Sequence, residues 1–284
     1  MPQPQPSSDD DKPLAKIERQ GAVGIVSFNE PHRLNPLSTY TGGSEDQVTE
    51  YILELERDND IRAIVITGEG RAFSAGADAK KNILAHPTVS DVVGDVLPLR
   101  ALSASPFPDA GRGWSMWYVL ERCSKPLIAA VHGWCIAGGW EIALFCDMIV
   151  ADETAQFGLA QVERGLFPAH ATYFLARAIG RWRAAELSYT GRRIGAAEAA
   201  SLGLVSRLVP EGKDIEAAIE LAQEIARYPL PALAGNRRAL NRATIPTSDW
   251  EQNRRDFVLV QMSESARQWS DRWRVRMSDR KNRD

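Results

Sequence analysis

Cysteine is scarce in this 284-residue sequence: Cys123, Cys135 and Cys146 are all there is, with no CxxC and no close metal-ligand spacing. A disulfide framework is not expected, and a reduced, cytoplasmic protein is the simplest account. Histidine is scarce as well, and His32, His86, His132 and His170 lack a zinc-ligand spacing, so no metal site is expected. There is no uninterrupted apolar run of about 18 residues, which argues against a membrane-spanning helix. Residues 1–13 are rich in Pro, Ser and Asp; they read as a disordered tail rather than a secretory leader. With 34 basic against 37 acidic residues the net charge is −3, which offers no global attraction for nucleic acid or an anionic membrane. The sequence has no P-loop, no GxGxxG fingerprint and no GxSxG elbow, so nucleotide-triphosphate chemistry, dinucleotide binding and a serine-hydrolase site have little support.

What is present suits a substantial core, since 44% of the residues are hydrophobic and 25% charged. Alternation on either side of Gln20-Gly21 predicts a hairpin ending at Phe28. Val48, Ile52 and Leu55 recur at helical spacing, with Glu45, Glu50, Glu54 and Glu56 among the polar positions. The run IRAIVIT at 61–67 predicts a buried strand, and the turn AFSAGADAKK follows directly. Residues 84–115 are irregular and Pro-bearing, and read as an insertion, with Trp114, Trp117 and Tyr118 supplying an apolar lid or core. Strands and helices alternate over the first two thirds and helices dominate the last. The expectation is a disordered tail at 1–13, an α/β core at 14–210 and a helical region at 211–284 that serves as a lid or an oligomer surface.

The central stretch is Lys125 to Asp147, KPLIAAVHGWCIAGGWEIALFCD. Leu127 to Val131 has strand character and feeds a Gly-punctuated turn, after which a helix is expected to open near Ala137, Gly138 and Gly139. The first N–H groups of a helix lack intrahelical acceptors, so Gly138 can offer a donor to an oxygen that develops negative charge. Glu141 lies at i+3 from Gly138, on roughly the same face. A lone Glu in an apolar helix is costly to bury without a partner or a task. The Gly76–Ala77 turn gives a second βα junction about 60 residues earlier, as a site at one sheet edge requires.

Together FSAGAD (73–78), KPLIAAVHG (125–133), AGGWE (137–141), CDMIVADETAQFG (146–158) and TGRRIGAAEAASLGLVSRLV (190–209) resemble the crotonase family, the enoyl-CoA hydratase/isomerase superfamily. The resemblance implies an α/β fold, a spiral of ββα units with a helical C-terminal region. It also implies trimers or paired trimers acting on an acyl-CoA thioester, with CoA part of the substrate and no separate cofactor. In the family two backbone N–H groups form an oxyanion hole, and the motifs map these onto Ala77 and Gly138. The adenine and pantetheine portions would follow Arg33 to Leu37 and Ala75 to Lys80, which makes Arg33, Leu34, Ala75, Ala77, Asp78 and Lys80 candidate CoA contacts.

Family hydratases use two Glu residues. The first maps onto Glu141 as general acid/base, while the place of the second holds Gln161, which exchanges no proton near neutral pH. Glu163, two residues on, and His170, in the divergent LFPAHAT loop, are the candidate replacements. Three functions stay open on this reading: hydration or dehydration of a 2-enoyl-CoA, a single-base isomerisation or another crotonase reaction such as decarboxylation or hydrolysis, and acyl-CoA binding with weak catalysis. Trp114, Trp117, Trp134 and Trp140 are compatible with a bulky acyl group or with plain packing.

Overall fold

The structure, a computed structural model, describes residues 12–38, 42–78, 116–168 and 170–244, with isolated positions at 268, 271, 272, 275 and 276. Lys80, the 84–115 insertion with its Trp114, and most of the expected helical region beyond residue 244 lie outside the described residues. So does the N-terminal tail, but for its last two residues.

The chain opens with the expected hairpin, β1 (Ala15–Gln20) antiparallel to β2 (Val23–Phe28). After it come the two-residue strand β3 (Pro36–Leu37), helix α1 (Ser44–Arg57), β4 (Ala63–Gly68) and the two-residue β5 (Gly76–Ala77). Next are α2 (Met116–Arg122), β6 (Leu127–Val131), β7 (Trp134–Ile136), α3 (Gly138–Phe145), β8 (Met148–Asp152) and β9 (Gln156–Gly158). Then follow α4 (Ala171–Ala178), α5 (Arg181–Thr190), β10 (Arg193–Gly195), α6 (Ala196–Ser201), β11 (Arg207–Val209), α7 (Asp214–Ala226) and α8 (Leu230–Thr244).

The main sheet runs β1-β2-β4-β6-β8-β11, and every pair in it after the hairpin is parallel. Parallel strands are covered on both faces, which is why β4 and β6 read as continuous apolar runs. Their side chains divide by parity. Ile64, Ile66, Leu127, Ala129 and Val131 face the core built with α1 and α3, whereas Val65, Ile128 and Ala130 face Ala218, Leu221 and Ala222 of α7. Asp214–Ala226, expected in a separate C-terminal helical region, is therefore the cover of the second sheet face.

The start of α7 is tied to the end of β6. His132 Nδ1 lies 2.8 Å from Asp214 Oδ2, and Asp152 accepts from Gly212 N at 2.9 Å. Burial opposes protonation of His132, but Asp214, with Asp152 behind it, outweighs burial and raises the imidazole above its ordinary 6.5. A raised folded-state pKa adds stability that is fully present below about 6.5 and lost as pH rises through the higher folded value. The melting-temperature advantage of wild type over Asp214→Asn should accordingly be largest on the acidic side of 6.5 and shrink as the pH is raised; calorimetry across that interval checks it.

Two smaller sheets sit at the edge of this layer. One has the order β10-β9-β7, and the other is the β3–β5 pair, in which Leu37 lies opposite Ala77. Both were beyond the reach of periodicity, because two or three residues carry no pattern.

Candidate active site

The turn ahead of β5 and the turn ahead of α3 are stitched together by main-chain bonds. Ser74 N donates to Trp134 O at 2.9 Å and Ile136 N to Ser74 O at 2.9 Å, while Ser74 Oγ donates to Asn35 O at 2.7 Å. Gly76 has φ +81°, and a Cβ there would come within 2.6 Å of Ile136 O and 3.2 Å of Gly138 N, so only glycine allows the approach. Ala137 takes the unusual φ of +53° at the helix N-cap, its N–H held by Gly158 O at 2.8 Å. A non-glycine residue there stores strain, and the flanking ladder holds it in place.

Strain and glycine together leave two main-chain donors side by side. Asp78 N is taken by Leu37 O at 2.8 Å, and alternation along β5 turns Ala77 N–H the other way. Gly138 is the first residue of α3, where no intrahelical acceptor exists. Among the described residues neither N–H has an acceptor. Leu37 lies beside them, since a Cβ on Gly138 would meet its Cδ1 at 2.8 Å.

One helical turn on from Gly138 stands Glu141, buried at 6% exposure. Its Oε1 accepts from His170 N at 2.9 Å and Ala171 N at 3.1 Å, and its Oε2 accepts from Gln161 Nε2 at 3.2 Å. The first two donors are the open N-terminus of α4, a natural seat for a carboxylate. Burial nevertheless outweighs the three donors and pushes Glu141 up to about 7. That is where a group that both takes and returns protons works best.

The structure brings Gln161 and His170 to Glu141, as the sequence suggested, in roles that now have geometry. Gln161 is buried beside the 3-10 turn Val162–Arg164, and its Oε1 has no partner among the described residues. His170 contributes its main-chain N–H, and its ring Nδ1 stands 3.7 Å from Glu141 Oε1. That ring lies flat against Trp117 at 4.5 Å between centroids and meets Phe145 edge-on at 5.5 Å. Glu163 is not brought to this cluster: it is exposed on the 3-10 turn, beside Gly191 at the end of α5. One 3-10 turn is enough to point Gln161 inward and Glu163 outward, so the replacement role expected of Glu163 has no geometric support.

The family model described as enoyl-CoA hydratase/isomerase matches residues 18–95 and 110–268. The chain belongs to this family. It is 37% identical over 228 residues to a probable enoyl-CoA hydratase of Mycobacterium bovis, covering 80% of each chain. A carnitinyl-CoA dehydratase structure from Mycobacterium avium matches with a TM-score of 0.74 at 30% identity, covering 90% of this chain and 95% of that one. A monofunctional enoyl-CoA isomerase structure from M. smegmatis matches with a TM-score of 0.63 at 30% identity, covering 85% and 99%.

In this crotonase chain the expected CoA-side residues also come together. Ala75 N donates to Leu34 O at 2.8 Å, and Leu34 takes φ +62° to close the 3-10 turn Pro31–Arg33. Arg33 bonds Asp78 Oδ2 at 2.6 Å and Glu30 Oε1 at 3.0 Å. Since Asp78 is buried, this pairing compensates its charge, and the guanidinium braces the loop against the second Gly turn.

One carboxylate escaped the sequence reading. Glu45, in the first turn of α1, is half-buried, and burial first, then Asp46 and Glu141, push it up to about 7. In the sequence it is one polar position of an amphipathic helix, and no local signal marks it.

Proposed function

We propose that the protein is an enoyl-CoA hydratase-type lyase, adding water to a 2-enoyl-CoA thioester or removing it. The carrying observation is the pair of acceptor-free N–H groups at Ala77 and Gly138 with Glu141 one turn further along α3. The thioester oxygen takes both hydrogen bonds as it gains enolate charge; a single donor of this kind typically contributes about 3 kcal/mol to the transition state. Glu141 takes the proton of the attacking water, and its raised value of about 7 lets it take and return that proton near neutral pH. Gln161 Oε1, lacking a partner among the described residues, accepts from the water's second hydrogen. Trp117, His170 and Phe145 supply flat apolar surface beside the acyl chain. The CoA portion follows Arg33, Leu34, Ala75 and Asp78, and Lys80 is a further candidate contact from the sequence. Assembly as a trimer or pair of trimers, in the cytoplasm, belongs to the same proposal.

A second reading, isomerisation through one base, is favoured by Gln161, which stands beside Glu141 and exchanges no proton. One experiment separates the two: crotonyl-CoA and a 3-enoyl-CoA are supplied in deuterated water and the products read by mass and NMR. Net hydration with deuterium at Cα is expected. Deuterium at the α or γ carbon without added water would favour isomerisation, and acyl-CoA binding with turnover at background would sink both.

A further inference from the structure

We propose that Glu45 is the second proton-exchanging carboxylate of this site, doing for Cα what Gln161 cannot. The inference rests on the enoyl thioester reading above.

The backbone fixes where Glu45 stands. Ser38, the residue after β3, is joined to the start of α1 by Ser38 N to Ser44 Oγ at 2.9 Å and Glu45 N to Ser38 O at 3.3 Å. Ser44 Oγ in turn donates to Pro36 O at 3.1 Å. The preceding residue, Leu37, is the one that pairs with Ala77 and lies against Gly138. Glu45 is thus carried at the rim of the two-donor pocket by the same short strand that helps to build it, and Glu141 acts on its carboxylate electrostatically.

The usual task of a first-turn acid is to cap its helix, and here that task is already filled. Asp46 Oδ2 accepts from Gly42 N at 2.9 Å and Ser44 Oγ accepts from Ser38 N. Among the described residues the Glu45 carboxylate makes no hydrogen bond and no ion pair. Two buried oxygens on these elements are orphaned among the described residues: Gln161 Oε1 and Ser38 Oγ have no partner. Buried polar atoms of this kind call for a water or a substrate group.

Two carboxylates that repel each other do not both ionise readily, and the surroundings decide which one does. Glu141 has three donors that favour its charged form. The Glu45 carboxylate has none and meets the charge of Asp46 and of Glu141, which favours its protonated form. The division of labour follows. The water oxygen bonds to Cβ while its proton passes to Glu141, and the Cα=Cβ electron pair moves toward the carbonyl as an enolate. That pair then forms a C–H bond at Cα with the proton of Glu45. Glu141 ends neutral and Glu45 ionised, and exchange with solvent restores both.

The test uses the full-length protein. Glu45→Gln should hydrate crotonyl-CoA with kcat reduced on the order of 100-fold, and lose one limb of the kcat/KM pH profile. Butyryl-CoA affinity by calorimetry should be unchanged. In parallel, carboxyl 13C NMR should show the Glu45 titration moving to lower pH in Glu141→Gln, where the repelling charge is gone. Hydration by Glu45→Gln within about threefold of wild type overturns this inference alone. A Glu45 titration unmoved by Glu141→Gln overturns it too, whatever the fold of the Glu45 variant. A wild type that hydrates no enoyl thioester overturns both this inference and the reading beneath it.

Discussion

Replacing Glu141 by Gln should lower kcat for enoyl-CoA hydration by about 10²–10⁴-fold while leaving acyl-CoA binding intact. The substitution keeps shape and removes the proton acceptor. The new amide can present its oxygen to His170 N and Ala171 N and its NH2 to Gln161, whose own amide rotates to accept. Both main-chain donors keep an acceptor, so the fold stands. The pH dependence gives a second readout. Because burial pushes Glu141 up to about 7, the native state holds this proton more tightly than the unfolded chain does, and stability conferred at low pH is lost between about 4.5 and 7. The variant escapes that loss, and its melting temperature should gain on wild type as pH rises through the interval. Turnover unchanged in the variant would remove Glu141 from the mechanism.

The largest stability effect is expected at Arg237, on α8. Its side chain is 3% exposed, and it bonds Asp147 Oδ2 at 2.8 Å, Leu120 O at 2.7 Å, Glu121 O at 3.0 Å and the Cys123 carbonyl. Those carbonyls close the C-terminal end of α2, which no intrahelical N–H can satisfy. Asp147 also accepts from Leu127 N at the start of β6. One guanidinium thus clamps α2, α8 and the central strand. Arg237→Ala leaves a partly buried carboxylate and three carbonyls without it, at a cost of about 3 kcal/mol. Arg237→Lys should recover little, since an ammonium cannot fan out to four acceptors on two elements. Denaturant unfolding measures both. Since α2 carries Trp117, the loss should also loosen the stack on His170, visible as a change in tryptophan fluorescence.

The legible parts of this molecule were those whose cause is local. The run from Leu127 to Val131, the glycines after it and the lone Glu141 could be read because strand, turn and buried acid each leave a mark within a few residues. The hairpin and α1 were readable for the same reason. What escaped depends on distant pairing. β3 and β5 exist only through each other, and the cover of the second sheet face by α7 is set by packing rather than by its own pattern. Gln161 and Glu163 differ by two positions, yet a 3-10 turn sends one inward and the other to solvent. Glu45 looks like any solvated first-turn acid until the β3–α1 connection carries it to the pocket.

Both proposed oxyanion donors, at Ala77 and Gly138, are peptide N–H groups, and the turns that carry them are joined by the Ser74–Trp134 and Ile136–Ser74 bonds. Only an exchange to proline deletes a peptide N–H, so this half of the proposed machinery is shielded from most point mutations. Glu45, Glu141, Gln161 and His170 have no such protection, since each is one codon away from different chemistry. An engineer seeking a new reaction on thioesters from this scaffold would leave the two turns untouched and randomise those four positions.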